Sequence, residues 1–321
     1  MDQEKSSNFY QLLELVFLKN LNKNTLILFE SDFKPKKLLS FRKKTDLICA
    51  ANAICHIPNL HNLIKGISIL LSKKGLFIPY GTTFFLIPLV FFTIKLGFKK
   101  LYNFYLIFFL ICFQGFIGWY MVSSGLVDRI DVSHYRLSIH LLMAFIILSL
   151  IYWNYLKLKS LNVGREVNNY LTLFFVFLIF LQIVIGAFVS GMDAGRIYNS
   201  WPLMGNNYFP DDNEISNLFN IDAFNDPSLV QFIHRNLAYL ILFVYLIIFF
   251  QVYYNKLNNS KASVNVIGFL LILQIILGIL TILNGAQIYI ASMHQISSIF
   301  LVSACIYFYF INTKSNLQPS D

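Results

Sequence analysis

From residue 76 onward the chain alternates long apolar runs with short polar breaks, at 76–97, 101–122, 134–155, 170–191, 229–252, 264–283 and 288–311. Each run is near the roughly 20 residues that a helix needs to cross a bilayer. None alternates with the period of two that a barrel strand requires, so the pattern predicts seven membrane-crossing helices. Upstream the pattern is lost. Residues 34–44 read KPKKLLSFRKK, too basic to enter lipid, and the mildly apolar stretch 46–71 is broken by His56, Pro58, His61 and Lys65. That stretch makes a poor signal peptide and a poor eighth span.

Composition agrees with the pattern: 57% of residues are hydrophobic and only 13% charged, which excludes a water-soluble domain and implies a polytopic membrane protein embedded in lipid. The net charge of +9 invites a nucleic-acid partner, but its placement argues against one. Lys95, Lys99 and Lys100, then Lys157, Lys159 and Arg165, then Lys256 and Lys261 mark alternate loops, the pattern of cytoplasmic connections. The longest loop, 192–228, carries Asp193, Asp211, Asp212, Glu214, Asp222 and Asp226 against Arg196 alone and is expected on the outer side. Residues 1–80 break the rule, with 12 of the 25 Lys and Arg residues on a segment that seven spans would place outside. Four cysteines form no framework: Cys112 and Cys305 read as small buried side chains, and Cys49 and Cys55 would pair only if their segment were exported.

Ionisable groups within apolar runs are costly and therefore point to function. His140, His234 and His294 each lie a few residues into a run that starts from the outer side, roughly 10–14 Å below the boundary at 1.5 Å per residue. Three imidazoles in one layer suggest ligands to a flat, iron-bearing group. Arg136 precedes His140 by one helical turn and Arg235 adjoins His234, so both suit carboxylate anchoring, although snorkelling to the interface is the competing reading. The runs that lead outward share Q-x-x-x-G, at 114–118, 182–186 and 274–278. Glutamine supplies hydrogen bonds in lipid, and glycine admits a close approach. A Gln/Gly helix followed by a His helix describes an internal repeat. Trp119, Tyr120 and Trp201 read as interfacial belt residues, His134 as a solvated helix start, and Asp193 with Arg196 as either loop-shaping residues or a pair.

These residues carry a resemblance. QGFIGWYMVSSGL (114–126), VSHYRLSIHL (132–141), QIVIGAFVSGMDAGRIYNSWPLMG (182–205), VQFIHR (230–235), QIILGILTI (274–282) and ASMHQ (291–295) resemble the haem A synthase family over about residues 81–310. The resemblance implies an all-α polytopic membrane protein of two pseudo-repeated four-helix halves. It implies oxidation of a ring methyl of haem O to a formyl group by two hydroxylations and loss of water. It also implies a haem b cofactor held between His234 and His294, with Arg235, Gln274 and Gly278 around it. Haem O is then the substrate, received at His140 with Arg136, Gln114 and Gly118. Implied partners are haem O synthase and cytochrome oxidase assembly factors, with homo-oligomers left open. The implied location is a bacterial inner membrane or, alternatively, a mitochondrial one, with the haem sites toward its outer face.

The departure lies at the N-terminus. Counting back from residues 81–92, the histidine expected of the family falls near Lys73 and Lys74, so the first helix, a fourth ligand and an acidic residue are missing and the catalytic residue is unknown. His56 and His61 are poor substitutes, because Pro58 interrupts any helix presenting both. The expected division is therefore a divergent or frame-shifted segment (1–75), the rest of a substrate half (76–160) and a cofactor half (161–321). A haem-binding membrane protein without the activity, such as an electron-transfer cytochrome or a haem carrier, is the alternative.

Overall fold

The computed structural model describes residues 25–28, 45–50, 71–125, 133–159, 161, 164 and 166–313. It divides into two compact units, Met1–Val127 and Asp128–Asp321.

The first unit contains what the hydrophobic pattern left unread. Strands β1 (Thr25–Leu28), β2 (Thr45–Ala50) and β3 (Leu71–Pro79) form a parallel sheet in that order. Thr25 pairs with Leu47, and Leu47 in turn with Leu76. Parallel sheets belong almost entirely to α/β proteins with both faces covered; a lipid-facing helical bundle has no use for one. Cys55, His56 and His61 lie outside the described residues, as does most of the stretch 46–71.

The strand β3 also corrects the first expected span. Residues 76–79 continue the sheet, so helix α1 begins only at Tyr80 and ends at Leu96. Its 17 residues rise about 25 Å, short of the ~30 Å hydrocarbon core. Gly97 then takes a positive φ of 82°, which glycine tolerates without steric cost, and α2 (Phe98–Gly125) turns back along α1. The hairpin is joined by Thr93 Oγ1 and Tyr105 Oη at 2.8 Å and by stacking of Phe85 on Phe108. Cys112 is exposed on α2, not buried as expected; neither α1 nor α2 itself covers that position.

The second unit is a bundle of five helices: α3 (His134–Lys157), α4 (Asn169–Gly191), α5 (Pro227–Tyr254), α6 (Asn258–Leu283) and α7 (Ile288–Thr313). With α2 they make, among the described residues, six helices long and apolar enough to cross a membrane, so the chain is an integral membrane protein. Two of them start on a side-chain cap. Asn168 caps α4, and Asp226 caps α5 ahead of Pro227, whose missing N–H and preset φ suit the first turn. Helix α6 lacks a side-chain cap of its own; instead Glu166 accepts from the backbone N–H groups of Asn259 and Ser260 at 3.3 and 2.9 Å.

Long-range contacts sort the helix ends into two groups. At one end Glu166 and Val167 meet Asn312 and Ser260, while Trp153 packs edge-on against Phe310. At the other, Asn199 donates to the Ile282 carbonyl at 2.8 Å, Tyr135 donates to Asn225, and the Gly191 backbone lies against His134. Helices α3, α5 and α7 therefore run in one direction and α4 and α6 in the other. A large apolar cluster around Phe175, Ile248, Ile267, Leu301 and Phe308 fills one half. A small one of Ile185, Phe188 and Val230 closes the opposite end.

Candidate functional site

Between the two clusters lies a polar layer. His140, His234 and His294 stand six, seven and six residues after the first residues of α3, α5 and α7, roughly 9–10 Å along each axis at 1.5 Å per residue. The shared depth expected from the sequence is present in the bundle, since these three helices start from the same end.

The Gln and Gly residues of the preceding helices meet the histidines. Gln182 Nε2 donates to the His234 carbonyl at 3.1 Å, and Gln274 Nε2 to the His294 carbonyl at 3.0 Å. One turn away, a methyl built on Gly186 would stand 3.1 Å from His234 Cε1, and one on Gly278 would stand 3.3 Å from His294 Cε1. Each imidazole thus rests against a glycine on the neighbouring helix. The Gln182 amide also lies 3.2 Å from His234 Nε2. An amide N–H can only donate, so this nitrogen carries the lone pair and is free to act as a ligand once the amide yields it.

These residues suit an iron porphyrin on three observations. Both rings are half-buried rather than enclosed, leaving an edge available. The Nδ1 atoms of His234 and His294 have no hydrogen-bond partner, so neither ring is locked through that nitrogen to another part of the protein. Arg235 is 7% exposed, its Nε has no partner, and among the described residues no carboxylate meets its guanidinium. A buried cation without a counter-ion is costly, and an anionic group on a ligand would relieve it.

Arg235 is nevertheless partly engaged. It donates to the backbone carbonyls of Tyr198 and Leu203 at 3.1 and 3.3 Å, and Gln231 donates to the same Tyr198 carbonyl at 3.0 Å. The arginine that reads as an anchor for a ligand is thus also a staple for the outer loop 192–228. Around it Tyr198 and Ser228 donate to Asp212 at 2.9 and 2.6 Å, and Tyr208 donates to Asn236 at 2.6 Å. Partial burial raises the Asp212 carboxyl, but hydrogen bonds from Ser228, Tyr198 and Asn213 outweigh it and hold the group below the usual carboxylate range. Burial and the bond to Asp212 raise the Tyr198 phenol. Gln231 and Tyr198 were not singled out in the sequence, and Asp212 only as one of the loop's acidic residues, since no spacing rule links a helix to a loop some 30 residues away.

The remaining expected site residues fall in two places. His140 is half-buried on α3, with Arg136 one turn nearer the helix start. Gln114 and Gly118 lie on α2, in the other compact unit. His134 is not the solvated helix start that was expected. Its ring packs edge-on to Phe188 with centroids 5.1 Å apart, and its Nε2 is buried without a partner, because Gly191 lets α4 close on this turn. Of the two readings of Asp193 and Arg196, the structure selects pairing, at 3.5 Å and largely in solvent.

Comparison with known proteins gives a consistent result. The family model COX15-CtaA, described as cytochrome oxidase assembly protein, matches residues 81–306, beginning two residues after β3 ends. A Pelagibacter ubique protein named haem A synthase is 47% identical over 238 residues, covering 73% of this chain and 69% of its own length. Proteins of the same name from Rickettsia felis and Rickettsia akari are 38% and 37% identical, covering 71% and 72% of this chain and 69% and 71% of theirs.

Proposed function

Because the chain belongs to the COX15-CtaA family of cytochrome oxidase assembly proteins, we propose that it works as a haem A synthase, an oxidoreductase that converts a ring methyl of haem O to a formyl group. In this reading His234 and His294 hold a haem b, which supplies a one-electron redox centre when bound, and His140 receives the haem O substrate with Arg136 near its carboxylates. Residues 161–321 then form the cofactor half, and residues 76–160 contribute to the substrate half. The membrane is the bacterial inner membrane, with the polar layer toward its outer face, as the acidic loop 192–228 and the lysine-rich opposite loops favour.

The chain's own residues bind and orient. The glycines at 186 and 278 admit the imidazoles, the glutamines hold the histidine backbones, and the apolar clusters on either side keep bulk water from the layer. The observation that carries the reading is the repeated pair: two histidines on co-directional helices, each seated on a glycine of the neighbouring helix and each with its backbone carbonyl held by a glutamine one turn away. The parallel sheet in place of the family's first helix favours a second reading, that of a haem-binding protein without the activity.

Purified protein and its His234→Ala and His294→Ala variants decide the cofactor assignment by pyridine haemochrome analysis. The wild type is expected to carry haem b and each variant to lose it. Haem extracted from haem O-producing cells that express the chain decides the activity. Haem A in the extract supports synthase action, whereas haem b with unchanged haem O supports the second reading.

A further inference from the structure

The Q-x-x-x-G spacing has a geometric cause that follows from helix polarity. Side chains lean toward the N-terminus of their helix, whereas backbone carbonyls point toward its C-terminus. A histidine on α5 or α7 therefore presents its ring nearer the helix start and its carbonyl one step deeper. The neighbouring helices α4 and α6 run the opposite way, so Gly186 and Gly278 lie nearer that end than Gln182 and Gln274 by four residues, about 6 Å. One turn of the antiparallel helix thus touches both ends of the same residue: the glycine meets the ring and the glutamine amide meets the carbonyl. The arrangement occurs twice, with donor distances of 3.1 and 3.0 Å and with a methyl built on each glycine standing 3.1 and 3.3 Å from the ring.

We propose that Gln182 with Gly186, and Gln274 with Gly278, are positioning clamps that fix the backbone level and ring plane of His234 and His294 as iron ligands. The proposal rests on the haem reading of this site. A structural glutamine would need only some acceptor on the next helix. Here both glutamines select the carbonyl of the histidine itself, and a side-chain amide reaching a helix carbonyl constrains that one residue. The glycine leaves out the Cβ that would press on Cε1 of the ring, so the ring keeps its place beside the next helix without being tilted. The two clamps differ in one respect: Gln182 also reaches His234 Nε2, a contact the amide gives up when that nitrogen takes the iron, so in the holoprotein the two clamps act alike through the histidine carbonyls.

The test uses the full-length holoprotein in detergent. Gln182→Leu and Gln274→Leu remove the donor at nearly constant volume, while the corresponding Gln→Glu variants keep an O–H donor when the acid is neutral, as expected in an apolar layer. Haem per protein is measured by pyridine haemochrome, and ligand geometry by the low-field g value of the ferric low-spin signal, which reports the angle between the two imidazole planes. The expected result is a displaced g value in each Leu variant, with restoration toward the wild-type value in the Glu variants. Gly186→Ala and Gly278→Ala are expected to displace the same signal, the former more. Loss of haem in the Leu variants with retention in the Glu variants equally supports the clamps. A wild-type g value in haem-loaded Leu variants overturns the proposal, as does equal loss of haem in Leu and Glu variants. Wild-type protein free of haem overturns the reading of the site itself, and the clamps with it.

Discussion

Removal of Arg235 tests whether one residue secures the outer loop to the site. Arg235→Leu deletes two hydrogen bonds, to the Tyr198 and Leu203 carbonyls, each with a charged donor and so worth about 1.5–3 kcal/mol. Neither acceptor is abandoned, because Gln231 still serves Tyr198 at 3.0 Å and Ser200 Oγ still serves Leu203 at 2.9 Å. The variant also relieves the burial of an uncompensated guanidinium, a penalty of several kcal/mol for an unpaired ion. These terms offset, and the expected net loss of loop anchoring is about 1–2 kcal/mol, a factor of roughly 5–30 in the population of the detached loop. Gln231→Leu alone is expected to cost about 1 kcal/mol, the usual net worth of a neutral bond. The double variant leaves the Tyr198 carbonyl with neither donor, so the pair should couple, exceeding the sum of the singles by about 1 kcal/mol. The assay is the rate of limited proteolysis within 192–228 on protein in detergent, where cleavage follows the detached population. Strict additivity, or a cleavage rate unchanged in Arg235→Leu, refutes the shared-acceptor argument.

Other consequences are simpler to check. A methyl on Gly268 would overlap the Tyr245 hydroxyl and stand 2.8 Å from its Cζ. Gly268→Ala should therefore destabilise the protein by about 1–3 kcal/mol in a detergent thermal scan, and Tyr245→Leu should rescue part of it. Glu166→Ala removes the borrowed cap of α6 and should cost about 1 kcal/mol, read as faster hydrogen exchange at residues 259 and 260. The Tyr198–Asp212 bond should hold across a bounded pH range. The depressed Asp212 carboxyl stabilises the folded loop above the unfolded pKa of about 3.9 and loses this effect as pH falls through the lower folded value. The raised Tyr198 phenol stabilises it below about 10 and loses this effect as pH rises through the higher folded value. Proteolysis of the loop should thus accelerate at both extremes and stay flat between; acceleration near neutrality would contradict the assignment.

The helical part of the fold is legible because membrane spans are long and uninterrupted, and their ends move by only a few residues between pattern and structure. The histidine layer is legible for the same reason: depth follows from counting along helices that start at one end. The first boundary is not, since Leu76, Phe77 and Ile78 are apolar residues that a strand accepts as readily as a helix. The pairing of β3 with β2 decides the matter at long range. Arg235 shows a second limit. Its position beside His234 is visible in the sequence, but which carbonyls its guanidinium reaches depends on how the loop 198–205 folds back, and no local spacing encodes that. Gln182 and Gly186 lay between these cases. Their motif was visible, and only the antiparallel packing of α4 on α5 reveals that both address one histidine.

The uneven division of apolar packing across the bundle bears on how charge leaves the polar layer. One half of the thickness is occupied by hydrocarbon and aromatic rings around Phe175, Ile248 and Phe308, which offer protons and ions no path and so preserve the transmembrane gradient. A proton that reaches the histidine layer is therefore exchanged with the end that carries the loop 192–228 rather than through the apolar half.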